Sequence, residues 1–77
     1  MAIGFVLLKT SPAAERDVYE IVKDMDEVVE VHSLFGEYDL IIKLKAGDFN
    51  SLGKIVVEDI RSIDGVEDTK TLTGIEF

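Results

Sequence analysis

A chain of 77 residues has room for one domain, residues 1–77, and no more. It holds no cysteine and a single histidine, which excludes disulfides, thiolate zinc sites and histidine-rich metal sites. Sixteen acidic side chains against eight Lys and Arg give a formal net charge of −8. Nucleic-acid binding draws its affinity from cations that displace phosphate counterions, so direct contact with DNA or RNA is not expected. The apolar run Ile3 to Leu8 is too short to span a membrane and lacks a basic leader and cleavage site; the expectation is an untargeted cytoplasmic protein. A core this small barely offsets the entropy of ordering the chain. With disulfides and metals excluded, self-association is the remaining support.

The elements follow a half-repeat of strand, helix, strand. A first strand is predicted from Ala2 to Lys9, with Ile3, Phe5 and Leu7 on one face and Val6 and Leu8 on the other. Ser11 and Pro12 read as a helix N-cap followed by proline at the first helical position. The helix is predicted through Asp26, its apolar face made by Ala14, Val18, Ile21, Val22 and Met25. Tyr19 falls off that face and should meet water or a partner. Strands are predicted over Val28 to Phe35 and Asp39 to Lys45, joined by the hairpin Gly36-Glu37-Tyr38-Asp39.

Asp48 is the expected cap of a second helix, with Phe49, Leu52, Val56, Ile60 and Ile63 along one stripe. Gly53 lies within that stripe, where a mid-helix glycine costs up to about 1 kcal/mol against alanine; close approach to the sheet is the expected compensation. Asp64-Gly65 ends the helix, and Val66 to Phe77 supplies the last strand.

Two helices inserted among antiparallel strands in this order predict an α+β, ferredoxin-like βαββαβ sandwich with both helices on one face of the sheet. The other face should then be polar in a monomer. The first strand is apolar on both faces instead, and Ile41 lies opposite Leu40, Ile42 and Leu44 on the third. A second copy, sheet against sheet, is the simplest cover.

Little in the chain points to catalysis. His32 alternates with Glu30 and Leu34, and no cysteine or nucleophile-elbow motif accompanies it. It reads as a surface or interface histidine, with a pH-dependent interface as the more specific alternative. The carboxylates fall near helix ends and on outward positions, without calcium-loop or metalloprotease spacing. No glycine-rich loop precedes a helix, so a phosphate cradle is not expected. No catalytic residue, cofactor or metal is predicted. Two features stand out. Gly36-Glu37-Tyr38-Asp39 places backbone N–H groups beside a glycine and a carboxylate in one connection, suited to the two charged ends of a free amino acid. Thr69, Thr71 and Thr73 put three hydroxyls on one face of the last strand. Ordinary turn and strand chemistry accounts for either feature alone.

Taken together, these residues resemble the effector-binding domain of the Lrp/AsnC, or feast/famine, transcriptional regulators. The carrying segments are Val28-Val29-Glu30-Val31, Gly36-Glu37-Tyr38-Asp39, Leu40-Ile41-Ile42 and Asp64-Gly65-Val66, followed by Thr69 and Thr71. The family pattern of glycine, any residue, tyrosine or phenylalanine, then aspartate is matched in full. The later proline-glycine-valine turn is met with Asp64 in place of proline. The resemblance covers essentially the whole chain and implies dimers formed through the sheets, associating into rings. It also implies a small effector, often an amino acid, bound near the hairpin between dimers. Carried over by position, Gly36, Tyr38 and Asp39 are the candidate ligand-binding residues, with Thr71 and, less directly, Thr69 and Thr73. Gly36 would let backbone approach the ligand, Asp39 would receive its amine, and the threonine hydroxyls would hold its polar atoms.

Family regulators carry an N-terminal helix-turn-helix domain, whereas this sequence begins on the first strand of the sensing half. The expectation is a stand-alone oligomeric sensing module in transcription regulation, acting without its own DNA-binding domain. The alternative is an assembly partner of full-length Lrp/AsnC proteins with no ligand of its own. An enzyme of the dimeric α+β-barrel kind is the least supported reading.

Overall fold

A computed structural model describes residues 1–74. Four strands and two helices follow in the order β1 (Ala2–Thr10), α1 (Glu15–Lys23), β2 (Val28–Ser33), β3 (Leu40–Ala46), α2 (Phe49–Lys54) and β4 (Val66–Thr73), with a π-helical stretch, Ile55–Ile60, continuing α2. The sheet runs β2-β3-β1-β4 with every neighbouring pair antiparallel. This is the ferredoxin-like α+β sandwich, with β1 and β3 central as the sequence requires. The predicted strand end at residues 75–77 lies outside the described residues.

Alternation along β1 decides the layering. Ala2, Val6, Leu8 and Thr10 are buried beneath the helices, while Phe5 and Lys9 are exposed on the opposite face. Leu40, Ile42 and Leu44 of β3 join the covered side in register with Leu8, Val6 and Gly4. Val18 and Val22 of α1, Leu52 of α2, and Val56 and Ile60 beyond it close the core from above. Ala14, Met25 and Ile63 pack at its margin. Ile21 and Phe49, predicted on the helices' inner faces, are largely exposed instead. Both stand at the border of their stripes, where a short helix on a narrow sheet runs out of surface to cover. Tyr19, expected to face outward, packs against the core's margin.

The two helix starts differ. Asp48 caps α2 as predicted, its Oδ1 accepting from Ser51 N–H at 2.7 Å. Ser11 does not cap α1. Its N–H and hydroxyl both donate to the Gly65 carbonyl, at 2.9 and 3.3 Å, tying the exit of β1 to the entry of β4. A turn through Pro12 and Ala13 follows, and the helix starts at Glu15 after Ala14, which offers no side-chain cap. It ends at Lys23, short of the predicted Asp26, with the Asp24 and Met25 N–H groups bonded to Ile21 and Val22 carbonyls in its last turn.

Close approach between helix and sheet is made by a different glycine from the one predicted. A Cβ on Gly53 would meet open space, so nothing in its surroundings compensates its helix penalty. A Cβ on Gly4 of β1 would stand 2.6 Å from Leu52 Cδ2, and that missing side chain lets α2 settle on the sheet. After Lys54 the helix widens, and Arg61 N–H bonds the Val56 carbonyl five residues back at 2.9 Å. The wider turn keeps Leu52, Val56 and Ile60, each four apart, aligned over the core. The helical stretch ends at Ile60, before the predicted Asp64-Gly65 stop. Gly65, at φ +100°, serves the turn into β4, where a Cβ would press to 2.8 Å from Ala14 Cβ.

Candidate functional site

Asp39 organises the connection between β2 and β3. Its carbonyl accepts from Leu34 N–H at 2.8 Å, and its own N–H donates to the Leu8 carbonyl at 2.8 Å. Its carboxylate Oδ2 accepts from Thr10 N–H at 2.8 Å and Thr10 Oγ1 at 3.2 Å. Thr10 is the buried polar residue of β1, and a buried hydroxyl needs such a partner. Asp39 therefore locks the hairpin to the central strand at the point where the β1–β4 register shifts. Its second oxygen has no hydrogen bond among the described residues. Within the same connection Gly36 adopts φ +133° in open space, Phe35 is fully exposed and Tyr38 is half-buried.

Register places the threonines. Thr69, Thr71 and Thr73 lie opposite Leu8, Val6 and Gly4, on the helix-covered face but on an edge strand. Thr69 is half-buried and accepts a hydrogen bond from Arg61 Nε at 3.2 Å, beside a shallow recess of about 250 Å³ that Val66, Glu67 and Asp68 also line. Thr71 and Thr73 are exposed. Because β1 separates β3 from β4, two strand spacings, roughly 10 Å, divide Asp39 from Thr69; each further threonine lies roughly 7 Å along the strand. One chain brings Gly36, Tyr38, Asp39 and Thr69 to the same end of the sheet. It does not bring Thr71 and Thr73 within reach of Asp39 on a molecule as small as a free amino acid.

The uncovered sheet face is the second notable surface. Ile3, Phe5 and Leu7 of β1 share it with Ile41 of β3 and Leu72 of β4, Phe5 and Leu72 being register partners. Lys9, Lys43, Lys45 and Lys70 lie on the same face, half of the chain's eight basic residues, against Glu30 and Asp68. The chain is acidic, but this face has a cationic excess. Glu30 bonds His32 Nε2 at 3.2 Å and pairs with Lys43 Nζ at 3.6 Å, and that ammonium stands 6.0 Å from the Phe5 ring centroid. The His32 hydrogen bond first, and the Lys43 charge second, hold the Glu30 carboxyl below its ordinary range. His32 is thus an exposed residue at one edge of this face. Among the described residues no cluster of metal-ligating side chains forms, and no helix is long and apolar enough to cross a membrane.

Sequence reasoning found Asp39 but missed Thr10, its partner. The available signal was a threonine at a position whose strand alternation pointed into the core. It also missed a cleft of about 380 Å³ lined by Ala13, Glu15, Arg16, Tyr19 and Ser33.

A ferredoxin-like sandwich with one covered and one open apolar face is a domain whose sheet is half finished by its own chain. Comparison with known proteins says which such domain it is: the chain belongs to the Lrp/AsnC family, whose ligand binding domain matches residues 3–76. An uncharacterised HTH-type transcriptional regulator of Pyrococcus furiosus is 37% identical over 74 residues, covering 92% of this chain and 49% of that one. The leucine-responsive regulatory protein of Salmonella typhimurium is 30% identical over 64 residues, 78% of this chain and 39% of that one. This chain thus spans about half the length, or less, of these relatives. The crystal structure of a Thermus thermophilus protein superposes with a TM-score of 0.93 at 31% identity, over 100% of this chain and 96% of that one.

Proposed function

We propose that this domain is an oligomeric sensor of a small effector of the amino-acid class, acting in transcription regulation and performing no catalysis itself. The observation that carries this reading is the division of the candidate polar groups. Asp39 keeps one carboxylate oxygen without a hydrogen bond among the described residues, at a hairpin beside a glycine in open space. Thr71 and Thr73 present exposed hydroxyls on the far side of β1. Each set is half a site, and the complementary half would come from another copy. The open apolar sheet face supports assembly into dimers and thence rings. Membership of a regulator family supports the transcriptional role, and a relative named for its response to leucine supports the effector class.

The test is thermal melting in the presence of each common amino acid, with particle size followed by light scattering. A ligand at 100 times its dissociation constant adds about 2.7 kcal/mol, enough to raise the melting temperature of so small a domain by several degrees. Thr71→Val is the informative variant, because Thr71 is exposed and makes no contact the fold needs. Asp39→Ala would also release Thr10. A selective shift that Thr71→Val abolishes on an intact assembly supports the sensor; no shift with any amino acid refutes it.

A second reading, an assembly partner of full-length Lrp/AsnC regulators without an effector, is favoured by one observation. Asp39 already spends an oxygen on Thr10, so the hairpin has a structural use for it. Co-purification with a helix-turn-helix protein, together with a flat amino-acid screen, is the outcome that reading expects.

A further inference from the structure

We propose that the cleft between the start of α1 and the end of β2 is a separate binding site for a small zwitterion bearing a carboxylate, an ammonium and an apolar side chain. It is distinct from the hairpin and β4 groups and stands or falls without them. It is a wide, open depression of about 380 Å³, a volume comparable with that of small-molecule sites, with Ala13, Arg16 and Ser33 exposed on its walls. Its lining supplies one group for each part of such a ligand. Arg16 offers a planar fork of donors that matches a carboxylate. Glu15 offers a carboxylate for the ammonium. The half-buried Tyr19 and the Ala13 methyl supply an apolar wall, and the Ser33 hydroxyl a further polar contact.

Among the described residues neither charge is held in an ion pair, although Arg16 adds a minor pull on the Glu20 carboxylate. Glu20, one turn beyond Arg16, is held by Lys23 at 2.7 Å. As neighbours in sequence Glu15 and Arg16 point in different directions around the helix, so they flank the cleft and do not neutralise each other. The cleft's lip is also held in an uncommon conformation. Ala13 adopts φ +72°, a left-handed geometry that is unfavourable for a non-glycine residue and persists only where the surroundings fix it. The Ser11 bonds to Gly65 on one side and the first turn of α1 on the other do so.

The chain supplies its own reporters. It has no tryptophan and two tyrosines, Tyr19 in this cleft and Tyr38 in the hairpin. Tyr38→Phe leaves Tyr19 as the sole emitter at this site, and Tyr19→Phe leaves Tyr38 to report the hairpin. Each chain is titrated with L-leucine, L-methionine and L-valine, and with leucinamide, which lacks the carboxylate. The expected result is a saturable change in Tyr19 emission with at least one free amino acid. Leucinamide should bind at least about tenfold more weakly than leucine, and Arg16→Gln should weaken the amino acid by a similar factor without moving the melting temperature of the free protein. No saturable Tyr19 response overturns the proposal, as does a response that Arg16→Gln leaves unchanged. A response from Tyr38 alone overturns it while leaving the hairpin sensor standing; a response from Tyr19 alone supports it while counting against the hairpin.

Discussion

The two faces of the sheet are built from the same strands, and both carry large apolar residues on β1 and β3, yet only one is a core. On the covered face Val6, Leu8, Leu40, Ile42 and Leu44 are fully buried by side chains from the two helices. On the open face Ile3, Phe5, Leu7, Ile41 and Leu72 alternate with four lysines, and Phe5 and Leu72 stay exposed at 37% and 49%. Apolar residues on both sides of a central strand say that both sides are to be buried. They do not say by what. The helices answer for one side, and the proposed second copy answers for the other, where lysine stems can flatten against a partner while their charges reach the rim. Substitutions on the two faces should therefore fail in different ways.

The largest effect belongs to the covered face. Leu8→Ala removes a fully buried side chain at the centre of β1 and should cost about 2–5 kcal/mol. A domain of this size has only about 4–12 kcal/mol of stability in total. Denaturant melts should show a large fall in midpoint, or no folded protein at all. Next comes Gly4→Ala on the same face, where the added Cβ meets Leu52 Cδ2 at 2.6 Å. Leu52 must turn the far end of its side chain within a packed core to make room, and about 1 kcal/mol should be lost. A midpoint unchanged by Gly4→Ala would mean that α2 sits less tightly on the sheet than this packing requires.

On the open face the outcome reverses. Phe5→Glu adds a carboxylate beside Lys43 on a partly exposed position. It gives up only cross-strand contacts with Lys43 and Leu72, so the monomer's own stability should fall by about 1 kcal/mol, well short of the loss on the covered face. Sedimentation should nevertheless show a smaller particle than the unsubstituted chain, because two copies would each press a desolvated charge into the shared layer. An unaltered particle size would remove this face from the proposed assembly.

These contrasts separate what could be read from the sequence from what could not. Strand alternation and helical spacing yielded every element, the Asp48 cap and the two-faced character of β1, because each is a local periodicity or a local hydrogen bond. Beyond the helix ends and the widened turn after Lys54, what escaped depends on residues far apart in the chain. Ser11 followed by Pro12 has the local chemistry of a helix start, but Gly65, 54 positions away, claims its hydroxyl. Gly53 was assigned the close approach that Gly4 makes, since a sequence shows that a glycine is present but not which surface crowds it. At the candidate site the hairpin was legible and its anchorage was not: Asp39 carries a visible motif, while its bond to Thr10 spans 29 positions. The threonine alternation was also visible, but its distance from Asp39 follows from β1 lying between them. Gly53 supplies a small test of this account. With open space around it, Gly53→Ala should raise stability by about 0.5–1 kcal/mol, opposite in sign to Gly4→Ala.

The smallest expected effect is electrostatic and again belongs to the open face. Glu30 is held below its ordinary range by the His32 hydrogen bond and then by Lys43. A carboxyl depressed in this way favours the folded arrangement fully above its ordinary value, about 4.3, and its contribution is lost as the pH falls through the depressed one. Protonating Glu30 also leaves Lys9, Lys43, Lys45 and Lys70 balanced on this face by Asp68 alone, so two such faces should repel in acid. The proposed assembly should accordingly weaken below the ordinary glutamate range and recover with added salt, which screens exposed charges. Glu30→Gln should impose part of that weakening at neutral pH and flatten the acid dependence, both read by sedimentation across a pH series. An acid response identical with and without Glu30 would place the charge balance of the interface elsewhere, and the contrast between the two faces would then rest on their apolar residues alone.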